Sequence, residues 1–305
     1  MNDLECITLN VRGLRGKKKY KIYRWLKDHK FDICLLQETY CTKDYIDIMN
    51  RGWNGQIFHS VTSSSHSRGV SILIKKDLPC HVINHFTDDN GRVLLLNLEM
   101  KGKEYTICNI YAPNLISERI EFLRNLNQFL EAHAMSLDNM LIGGDFNCVE
   151  QDIDRVSGCL ERSSQTLSKI ISDMKLIDVW RLKHPASKEY TYIDPSHKGH
   201  DSRIDLWLIS HSVYETAKAC KITESPAPDH RAVCLTLNLI TKTRGAGYWK
   251  LNNSVLKENQ YKEGITTLFN NLNSEYSDHV SRQVLWDFVK AKVKQYTISY
   301  CINKV

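Results

Sequence analysis

The run 143–147, Gly-Gly-Asp-Phe-Asn, places a carboxylate and a carboxamide two residues apart, directly after the short apolar run 139–142. The apolar run predicts a buried strand, and the two glycines predict a sharp turn that presents Asp145 and Asn147 at the end of that strand. A site that handles a phosphate and a water needs such a pair. Taken alone, the run favours a plain polar turn after a core strand, so other parts of the sequence must decide.

Further polar side chains stand where other apolar runs begin or end. They are Asn10, Glu38, Tyr111, Asn114, Asp205, Asp229 and His230. Each of them could serve structure alone, as a turn cap, a solvated strand end or a surface pair. Asp205 is harder to explain in this way, because it lies within the apolar run 203–209 and a buried carboxylate needs a partner.

Taken together, these side chains suit a metal-assisted reaction. Glu38, Asp229 and Asn10 offer the hard oxygen ligands that Mg²⁺ prefers. His230 and a buried Asp205 would form an oriented imidazole–carboxylate pair. The set therefore predicts a magnesium site beside a histidine that can carry a charge.

The remaining polar groups would handle the water and the phosphate. Asp145 could take a proton from water. Asn147, Tyr111 and Asn114 would hold water or phosphate oxygens. The sequence has no evident serine or cysteine nucleophile and no phosphate-cradling Gly-x-x-x-x-Gly-Lys loop. These observations predict metal-assisted hydrolysis of a phosphodiester.

Short apolar runs rich in Val, Ile, Leu and Thr dominate residues 1–240 and predict strands. The runs are 4–10, 32–37, 55–60, 69–74, 80–86, 92–100, 104–111, 139–143, 189–193, 203–209, 218–223 and 231–238. Helical periodicity is found at 17–29, 117–134 and 163–174. Because strands outnumber helices, two packed sheets with helices outside fit better than a doubly wound parallel sheet.

The pattern changes after the last predicted strand. We expect a linker at 241–253 and a basic helical tail at 254–305, with helices at 254–273 and 279–298. From Arg244 onward nine Lys/Arg stand against five Asp/Glu, which places four of the six net positive charges in this last part of the chain. Such mild basicity permits nucleic-acid binding and does not establish it.

Cysteine usage and hydropathy indicate where the protein works. The ten cysteines include no Cys-x-x-Cys pair, so a zinc site is unsupported, and their scatter through strand-like runs suits a reducing compartment. No run approaches the roughly 20 apolar residues of a membrane span. Neither a secretory signal nor a lipidation motif is evident. We therefore expect a protein of the nucleus and cytoplasm with no membrane partner.

The polar motifs, taken in order, resemble those of the exonuclease-endonuclease-phosphatase superfamily of DNase I-like folds. They are Leu9-Asn10, Gln37-Glu38, Ile110-Tyr111-Ala112-Pro113-Asn114, Gly144-Asp145-Phe146-Asn147, Arg203-Ile204-Asp205 and Asp229-His230. Six short motifs in one order are far more specific than any single match. The resemblance covers about residues 3–240. It implies an α/β (α+β) four-layer sandwich, in which two mainly antiparallel sheets pack face to face between flanking helices.

Within that superfamily the chain is similar to the N-terminal endonuclease of LINE-type, non-LTR retrotransposon proteins encoded by the second open reading frame. Segments 8–14, 109–114 and 151–155 are typical of that branch, and 245–254 resembles the segment that joins this endonuclease to a reverse transcriptase. The resemblance implies an endonuclease domain at 1–240 within a longer polyprotein. Double-stranded DNA, element RNA and the reverse transcriptase would be its partners. No Tyr-x-Asp-Asp sequence of a reverse transcriptase occurs here.

The resemblance also implies a role for the metal and histidine residues. Glu38, with Asn10 and Asp229, would bind Mg²⁺ or Mn²⁺ at the scissile phosphate. His230, paired with Asp205, would polarise the phosphoryl group or support the attacking water.

The other implied roles concern proton transfer and phosphate binding. Asp145 would be the general base or the acid for the leaving group. Tyr111, Asn147 and Asn114 would hold the phosphate.

Recognition of DNA is implied for a third group. Thr191 and Arg155 match positions that contact DNA in the retrotransposon branch, and 193–202 would form a hairpin loop that probes a groove. One departure from the family pattern is Pro228, which stands where the family usually has serine before Asp-His. Proline supplies no hydroxyl and stiffens the loop.

The expected function is a metal-dependent DNA endonuclease that nicks one strand and leaves a 3′-hydroxyl for target-primed reverse transcription. The nearest alternative is an abasic-site repair endonuclease with the same core. A catalytically inactive DNA-binding remnant is the alternative outside enzymes. A phosphoinositide phosphatase fits less well, because its Trp-Cys-Asp-Arg motif is replaced by Arg-Ile-Asp-Leu at 203–206.

Overall fold

In the computed structural model, which describes residues 3–63, 66–196, 199–239, 253–276 and 282–302, the apolar runs pair into two six-stranded sheets. The strands are β1 Leu4–Asn10, β2 Ile33–Gln37, β3 Gly55–Ser60, β4 Val70–Lys75, β5 Cys80–Thr87, β6 Val93–Met100, β7 Lys103–Tyr111, β8 Met140–Asp145, β9 Leu176–Asp178, β10 Asp205–Ser210, β11 Ala217–Thr223 and β12 Ala232–Leu237. Every strand except β9 overlaps an apolar run that predicts a strand.

Each sheet combines one parallel pair with antiparallel neighbours. The first sheet has the order β11-β12-β1-β2-β4-β3, and the second has the order β5-β6-β7-β8-β10-β9. The parallel pairs are β1 with β2 and β7 with β8, and the other described pairs are antiparallel. The predicted architecture of two mainly antiparallel sheets with flanking helices is confirmed.

Helices that precede Thr241 cover the outer faces of both sheets. The described α-helices are α1 Lys17–Asp28, α2 Ile46–Asn50, α3 Ile116–His133, α4 Arg162–Asp173, α5 Val179–Lys183, α6 His211–Tyr214, α7 Asn259–Tyr276 and α8 Arg282–Ile302, with 3₁₀ turns at Lys43–Tyr45, Asp152–Asp154 and Val255–Lys257. Ile22 and Leu26 on α1 pack with Leu36 on β2. Leu123 on α3 and Leu167 on α4 pack against the second sheet. Each fully buried leucine contributes about 2 kcal/mol to stability.

The largest apolar cluster lies between the sheets, and buried polar side chains link the two sheets there. Trp207 Nε1 on β10 donates to the carbonyl of Val233 on β12 at 2.9 Å. Gln37 Nε2 donates to Asn109 Oδ1 at 2.7 Å, and Asn109 Nδ2 donates to two carbonyls of the first sheet at 3.0 and 2.9 Å. Buried amides that find such partners fix how the two sheets sit on each other.

Gly143 and Gly144 lie inside β8, so the sharp turn predicted at these glycines is wrong. A Cβ on Gly143 would lie 2.8 Å from side-chain atoms of both Leu35 and Trp207. Gly144 has φ +149°, and its Cβ would lie 2.1 Å from a carbonyl oxygen of β7. Both glycines therefore permit close packing, and Asp145 is the last residue of the strand.

The strand predicted at 189–193 is not formed. The N–H of Tyr192 donates to the carbonyl of Ser202 at 2.8 Å, and the N–H of Ile193 donates to the carbonyl of Asp229 at 2.9 Å. Because neighbouring residues bond to two different segments, only isolated bridges result. The three-residue strand β9 was not predicted, since so short a run carries no periodic signal.

The residues after Thr241 form a second compact unit. The two helices that the periodicity of the tail predicts are α7 and α8, and they pair with each other in antiparallel fashion. The hydroxyl groups of Tyr261 and Thr297 lie 2.7 Å apart, and the rings of Tyr276 and Phe288 meet with centroids 5.3 Å apart.

The predicted linker 241–253 lies, except for Asn253, outside the described residues. Within the part of the chain that the structure describes, no helix combines the length and the apolar character needed to cross a bilayer.

Gly144→Ala should lower the free energy of unfolding by about 3 kcal/mol, because the new methyl group must displace a carbonyl of β7. Urea unfolding followed by circular dichroism measures the loss. Gly102→Ala is a matched control: Gly102 also has positive φ, +72°, but nothing lies within 4 Å of its added Cβ. It should cost only the backbone strain of about 1 kcal/mol. Equal losses in the two variants would contradict the packing role of Gly144.

Candidate active site

The ends of parallel strands bring predicted site residues to one edge of the sheets. Asn10 and Gln37 end β1 and β2, and they pair in register. Tyr111 and Asp145 end β7 and β8, and they pair in the same way. Glu38 follows Gln37 directly and joins this group, because parallel strands present their carboxyl ends at the same edge.

Asp205 and His230 reach the same edge from antiparallel strands. Asp205 is the first residue of β10 and pairs in register with Asp145. His230 lies two residues before β12, whose Val233 pairs with Thr8 near the end of β1. An antiparallel strand begins where its neighbour ends, so the topology places both side chains beside the strand ends of the parallel pairs.

The edge opens into a cleft of about 640 Å³. The predicted site residues that line the cleft are Glu38, Tyr111, Asn114, Asp145, Asn147, Asp229 and His230. Asn10 and Asp205 are buried and reach the cleft through hydrogen bonds to these residues. Thr191 and Arg155 are not part of the lining. The structure thus brings together nine of the eleven predicted residues.

His230 is buried between two carboxylates. Its Nδ1 lies 2.9 Å from Asp205 Oδ2, and its Nε2 lies 4.0 Å from Asp145 Oδ2. Burial lowers the pKa of His230, but the charge and hydrogen bond of Asp205 outweigh burial and raise the pKa to about 9. Burial, followed by the charge of Asp205, raises the pKa of Asp145 to about 7. At neutral pH the imidazole is therefore protonated, with Nδ1–H donating to Asp205.

Asn10 joins two carboxylates that come from different sheets. Its Nδ2 donates to Glu38 Oε1 and to Asp145 Oδ2, each at 2.9 Å. Its Oδ1 accepts the backbone N–H of Arg12 at 3.0 Å, which fixes the orientation of the amide. Asn10 therefore sets the spacing between the carboxylates of Glu38 and Asp145.

Tyr40 is a site residue that the sequence did not reveal. Its hydroxyl donates to Glu38 Oε2 at 2.8 Å. Both Glu38 and Tyr40 have left-handed backbones, with φ +49° and +56°. The Tyr40 ring packs where a Cβ on Gly13 would lie, at 2.8 Å. This contact depends on packing between two loops, and no spacing in the sequence predicts it.

Asn147 and Tyr111 complete the polar wall of the cleft. The backbone N–H of Asn147 donates to Asp145 Oδ1 at 2.9 Å, and its Nδ2 donates to the carbonyl of Ala112 at 2.7 Å. Burial, then the charges of Glu38 and Asp145, raises the pKa of Tyr111, so its hydroxyl keeps its proton. It is therefore available as a neutral donor to an anion.

Thr191 supports Asp205 and does not face the cleft. Its side chain is fully buried, and its Oγ1 accepts the N–H groups of Ile204 and Asp205, each at 3.0 Å. The prediction that Thr191 contacts DNA is therefore corrected, because a side chain without exposed surface cannot reach a phosphate. Thr191 fixes the backbone from which Asp205 projects.

Arg155 is half-buried and closes its own loop. Its Nε donates to the carbonyl of Ser157 at 2.8 Å, and its Nη1 donates to the carbonyl of Cys159 at 2.7 Å. Its contact with DNA stays a prediction. The groove-probing role of 193–202 also stays a prediction, since residues 197 and 198 lie outside the described residues.

A buried network of two arginines and two aspartates anchors the segment before Asp205. Arg203 donates to both oxygens of Asp154 at 2.7 and 2.9 Å and to Asp178 Oδ2 at 2.7 Å. Arg181 pairs with Asp154 as well. Every buried carboxylate in the network has an arginine partner, which burial of charge requires. The sequence reasoning missed this network, because its members are separated by as many as 49 residues.

The acidic side chains of the site have spare oxygens that fit a divalent cation. Asp205 Oδ1 and Asp229 Oδ1 are buried and make no hydrogen bond to any described residue. Asp145, Asp205 and His230 form a group whose ligand atoms lie within 4.8 Å of one another. Because Nδ1 of His230 already bonds Asp205, this group suits charge and proton handling. Glu38, which faces the cleft with no cationic partner among the described residues, remains the best ligand.

Two members of the predicted ligand set have other partners in the structure. Asp229 Oδ2 forms an ion pair with Arg12. Asn10 turns its NH₂ group, rather than its oxygen, toward Glu38. That Glu38, with Asn10 and Asp229, binds the metal therefore stays a prediction, in which Glu38 is the residue with the fewest competing contacts. Asn10 spaces the carboxylates, and Asp229 already has a cationic partner.

Comparisons with known proteins agree with this fold. The chain is 28% identical over 295 residues to a transposon TX1 uncharacterized 149 kDa protein of Xenopus laevis, covering 95% of this chain and 22% of that protein. An AP endonuclease from Leishmania major superposes with a TM-score of 0.63 at 19% identity, over 78% of this chain and 88% of that one.

The endonuclease domain of TRAS1, a telomere-specific non-LTR retrotransposon, superposes with a TM-score of 0.60 at 14% identity, over 78% of this chain and 99% of that one. At these identities the two structural likenesses establish a shared fold. A sequence profile of the Endonuclease/Exonuclease/phosphatase family matches residues 7–279. On this match, and with the site assembled at the sheet edge, the chain belongs to the endonuclease/exonuclease/phosphatase family.

Proposed function

We propose that this chain is a Mg²⁺- or Mn²⁺-dependent DNA endonuclease of a LINE-type retrotransposon. It nicks one strand of duplex DNA and leaves a 3′-hydroxyl that primes reverse transcription at the target. The observation that carries the proposal is His230, held between Asp205 and Asp145 in an open cleft beside Glu38. Similarity to a transposon protein across 95% of the chain supports the retrotransposon context.

His230 stabilises charge on the phosphate in this proposal. Its protonated Nε2 donates to a non-bridging oxygen of the scissile phosphate, where negative charge grows in the transition state. Asp205 holds the ring in place from the Nδ1 side. Because Asp205 is itself fixed by Thr191 and the Arg203 network, the imidazole needs little reorganisation during the reaction.

Asp145 moves a proton in this proposal. Its raised pKa, about 7, suits a group that takes a proton from water and returns one to the leaving oxygen near neutral pH. Its two oxygens are oriented by the Asn147 N–H and by Asn10 Nδ2, each at 2.9 Å. Tyr111 and Asn114, on the same wall, donate to phosphate oxygens.

Glu38 holds the divalent ion in this proposal, since Asn10 turns its NH₂ group toward Glu38 and Asp229 pairs with Arg12. A divalent ion bound there supplies Lewis-acid stabilisation of charge on the phosphate. Tyr40 fixes the Glu38 carboxylate through its hydroxyl. The ligand residue is thus oriented by a neighbour, as effective metal sites require.

The proposal extends to the longer protein. Residues 1–240 act as the endonuclease domain, and 254–305 lead toward a reverse transcriptase that works with element RNA. This chain spans 22% of the length of the transposon relative. The rest of that relative is long enough to accommodate such an enzyme. The place of action is the nucleus, after synthesis in the cytoplasm.

His230→Gln should reduce nicking of supercoiled plasmid by about 1,000-fold, because the protonated donor to the phosphate is lost. Agarose gels that resolve supercoiled from nicked DNA measure the rate, and circular dichroism checks the fold. His211→Gln is the matched control, since His211 is an exposed histidine outside the cleft. Nicking by His230→Gln at the rate of His211→Gln would refute the mechanism.

Glu38→Gln should raise the Mg²⁺ concentration needed for half-maximal nicking by about 10-fold or more, because a neutral amide is a poorer ligand for a hard cation. A Mg²⁺ titration of nicking rates measures this shift. Glu121→Gln, a change at an exposed helix residue outside the cleft, provides the control. An unchanged midpoint in Glu38→Gln would place the metal elsewhere.

An abasic-site endonuclease is the second candidate, favoured by the likeness to AP endonucleases of known structure. Cleavage of matched duplexes with and without one abasic site discriminates between the two functions. The proposed function predicts similar rates on both substrates. A preference of 100-fold or more for the abasic duplex would instead assign the chain to repair.

A further inference from the structure

We infer that Arg12 binds a phosphate of the DNA backbone and that Asp229 holds Arg12 in place for that contact. This inference rests on the proposed DNA substrate and goes beyond it by assigning a phosphate contact to a residue with no predicted role. The pair lies at the wall of the cleft that also contains Glu38 and His230.

The backbone of Arg12 is fixed in an unusual conformation directly after β1. Its φ of +44° lies in the left-handed region, which is uncommon for residues other than glycine. Its N–H donates to Asn10 Oδ1 at 3.0 Å, and its carbonyl accepts from Lys18 Nζ at 2.9 Å. Such strain persists only where the surroundings over-determine it. Here the turn directs the side chain toward Asp229.

The guanidinium is oriented and still accessible. Its Nη1 pairs with Asp229 Oδ2, while the side chain of Arg12 is 54% exposed and that of Asp229 is 5% exposed. A guanidinium carries five N–H donors. Apart from the bond to Asp229, the side chain of Arg12 makes no hydrogen bond to a described residue. Most of its donors are therefore free for a ligand in the cleft.

Arg12 is the accessible arginine of the cleft lining. The other arginine there, Arg119, is 3% exposed on its side chain and pairs with Glu161. Arg119 also donates to the carbonyls of Pro113 and Asn114. A DNA strand that enters this acidic cleft therefore meets one arginine that can bind a phosphate.

The chemistry of the pair favours a phosphate over a second metal ion. The planar fork of a guanidinium matches two phosphate oxygens, and a carboxylate behind it reduces the side-chain entropy lost on binding. Asp229 is already neutralised by Arg12, so it offers a weaker site to a cation. The ion pair thus supplies a fixed positive charge where the sequence predicted a metal ligand.

Arg12→Gln should weaken binding of a short labelled duplex by about 10-fold in EDTA at low salt, because one charged hydrogen-bonding contact is lost. The slope of log K against log salt concentration should fall by about 1. Fluorescence anisotropy measures both quantities without any nicking. Arg12→Lys keeps the charge and loses the fork, so it should restore the slope and only part of the affinity.

Lys76→Gln is the charge-matched control. Lys76 is exposed and follows β4 at the edge opposite the cleft, so its loss should change neither quantity. Calorimetric titration with Mn²⁺ gives an independent readout, in which Arg12→Gln should bind Mn²⁺ no more weakly than the wild type, because the substitution removes a positive charge and no metal ligand.

Three results would overturn the inference. If Arg12→Gln binds DNA with the affinity and salt slope of the wild type, Arg12 makes no phosphate contact. The endonuclease proposal would then still stand. Tighter Mn²⁺ binding in Arg12→Gln with unchanged DNA affinity would show that Arg12 only masks a metal ligand. Failure of the wild type itself to bind duplex DNA would overturn the proposed function together with this inference.

Discussion

Repulsion among carboxylates that converge at one edge of two sheets is the constraint on which the site depends. These carboxylates belong to Glu38, Asp145, Asp205 and Asp229. A different hydrogen-bond donor offsets the repulsion at each close contact. His230 lies between Asp205 and Asp145, and Asn10 lies between Glu38 and Asp145. Arg12 pairs with Asp229. Burial, followed by the charge of Asp205, raises the pKa of Asp145, and the surrounding carboxylates raise the pKa of His230 against the opposing effect of burial. Two buried carboxylate oxygens are left that fit a cation.

The rest of the fold keeps this charged edge rigid. Gly143 lets the two sheets approach closely, and the buried bond between Gln37 and Asn109 links them just behind the strand ends. Arg203 and Thr191 fix the segment that carries Asp205. Groups held in this way can stabilise a transition state without first paying for their own reorganisation, which is why a site at the end of rigid strands suits hydrolysis.

Sequence reasoning found the strand ends and most of the polar side chains on them, because apolar runs and their boundaries are local signals. It failed where partners are distant in sequence. Arg12 and Asp229 are 217 residues apart, and no local pattern shows that the two form an ion pair. The family resemblance implied that Thr191 contacts DNA, and its full burial, which depends on tertiary packing, is not visible in the sequence. The two glycines of β8 suggested a turn because glycine is a local turn signal. Their actual role is to leave space for neighbouring strands and side chains, which the sequence does not show.

The most direct test of the account is the chemistry of the ends that the wild-type chain leaves on supercoiled DNA in Mg²⁺. The account predicts a single-strand nick with a 3′-hydroxyl that a DNA polymerase extends without prior treatment, and no product in EDTA. It would be contradicted by intact DNA in Mg²⁺, or by 3′-phosphate ends that a polymerase extends only after a phosphatase has removed the phosphate.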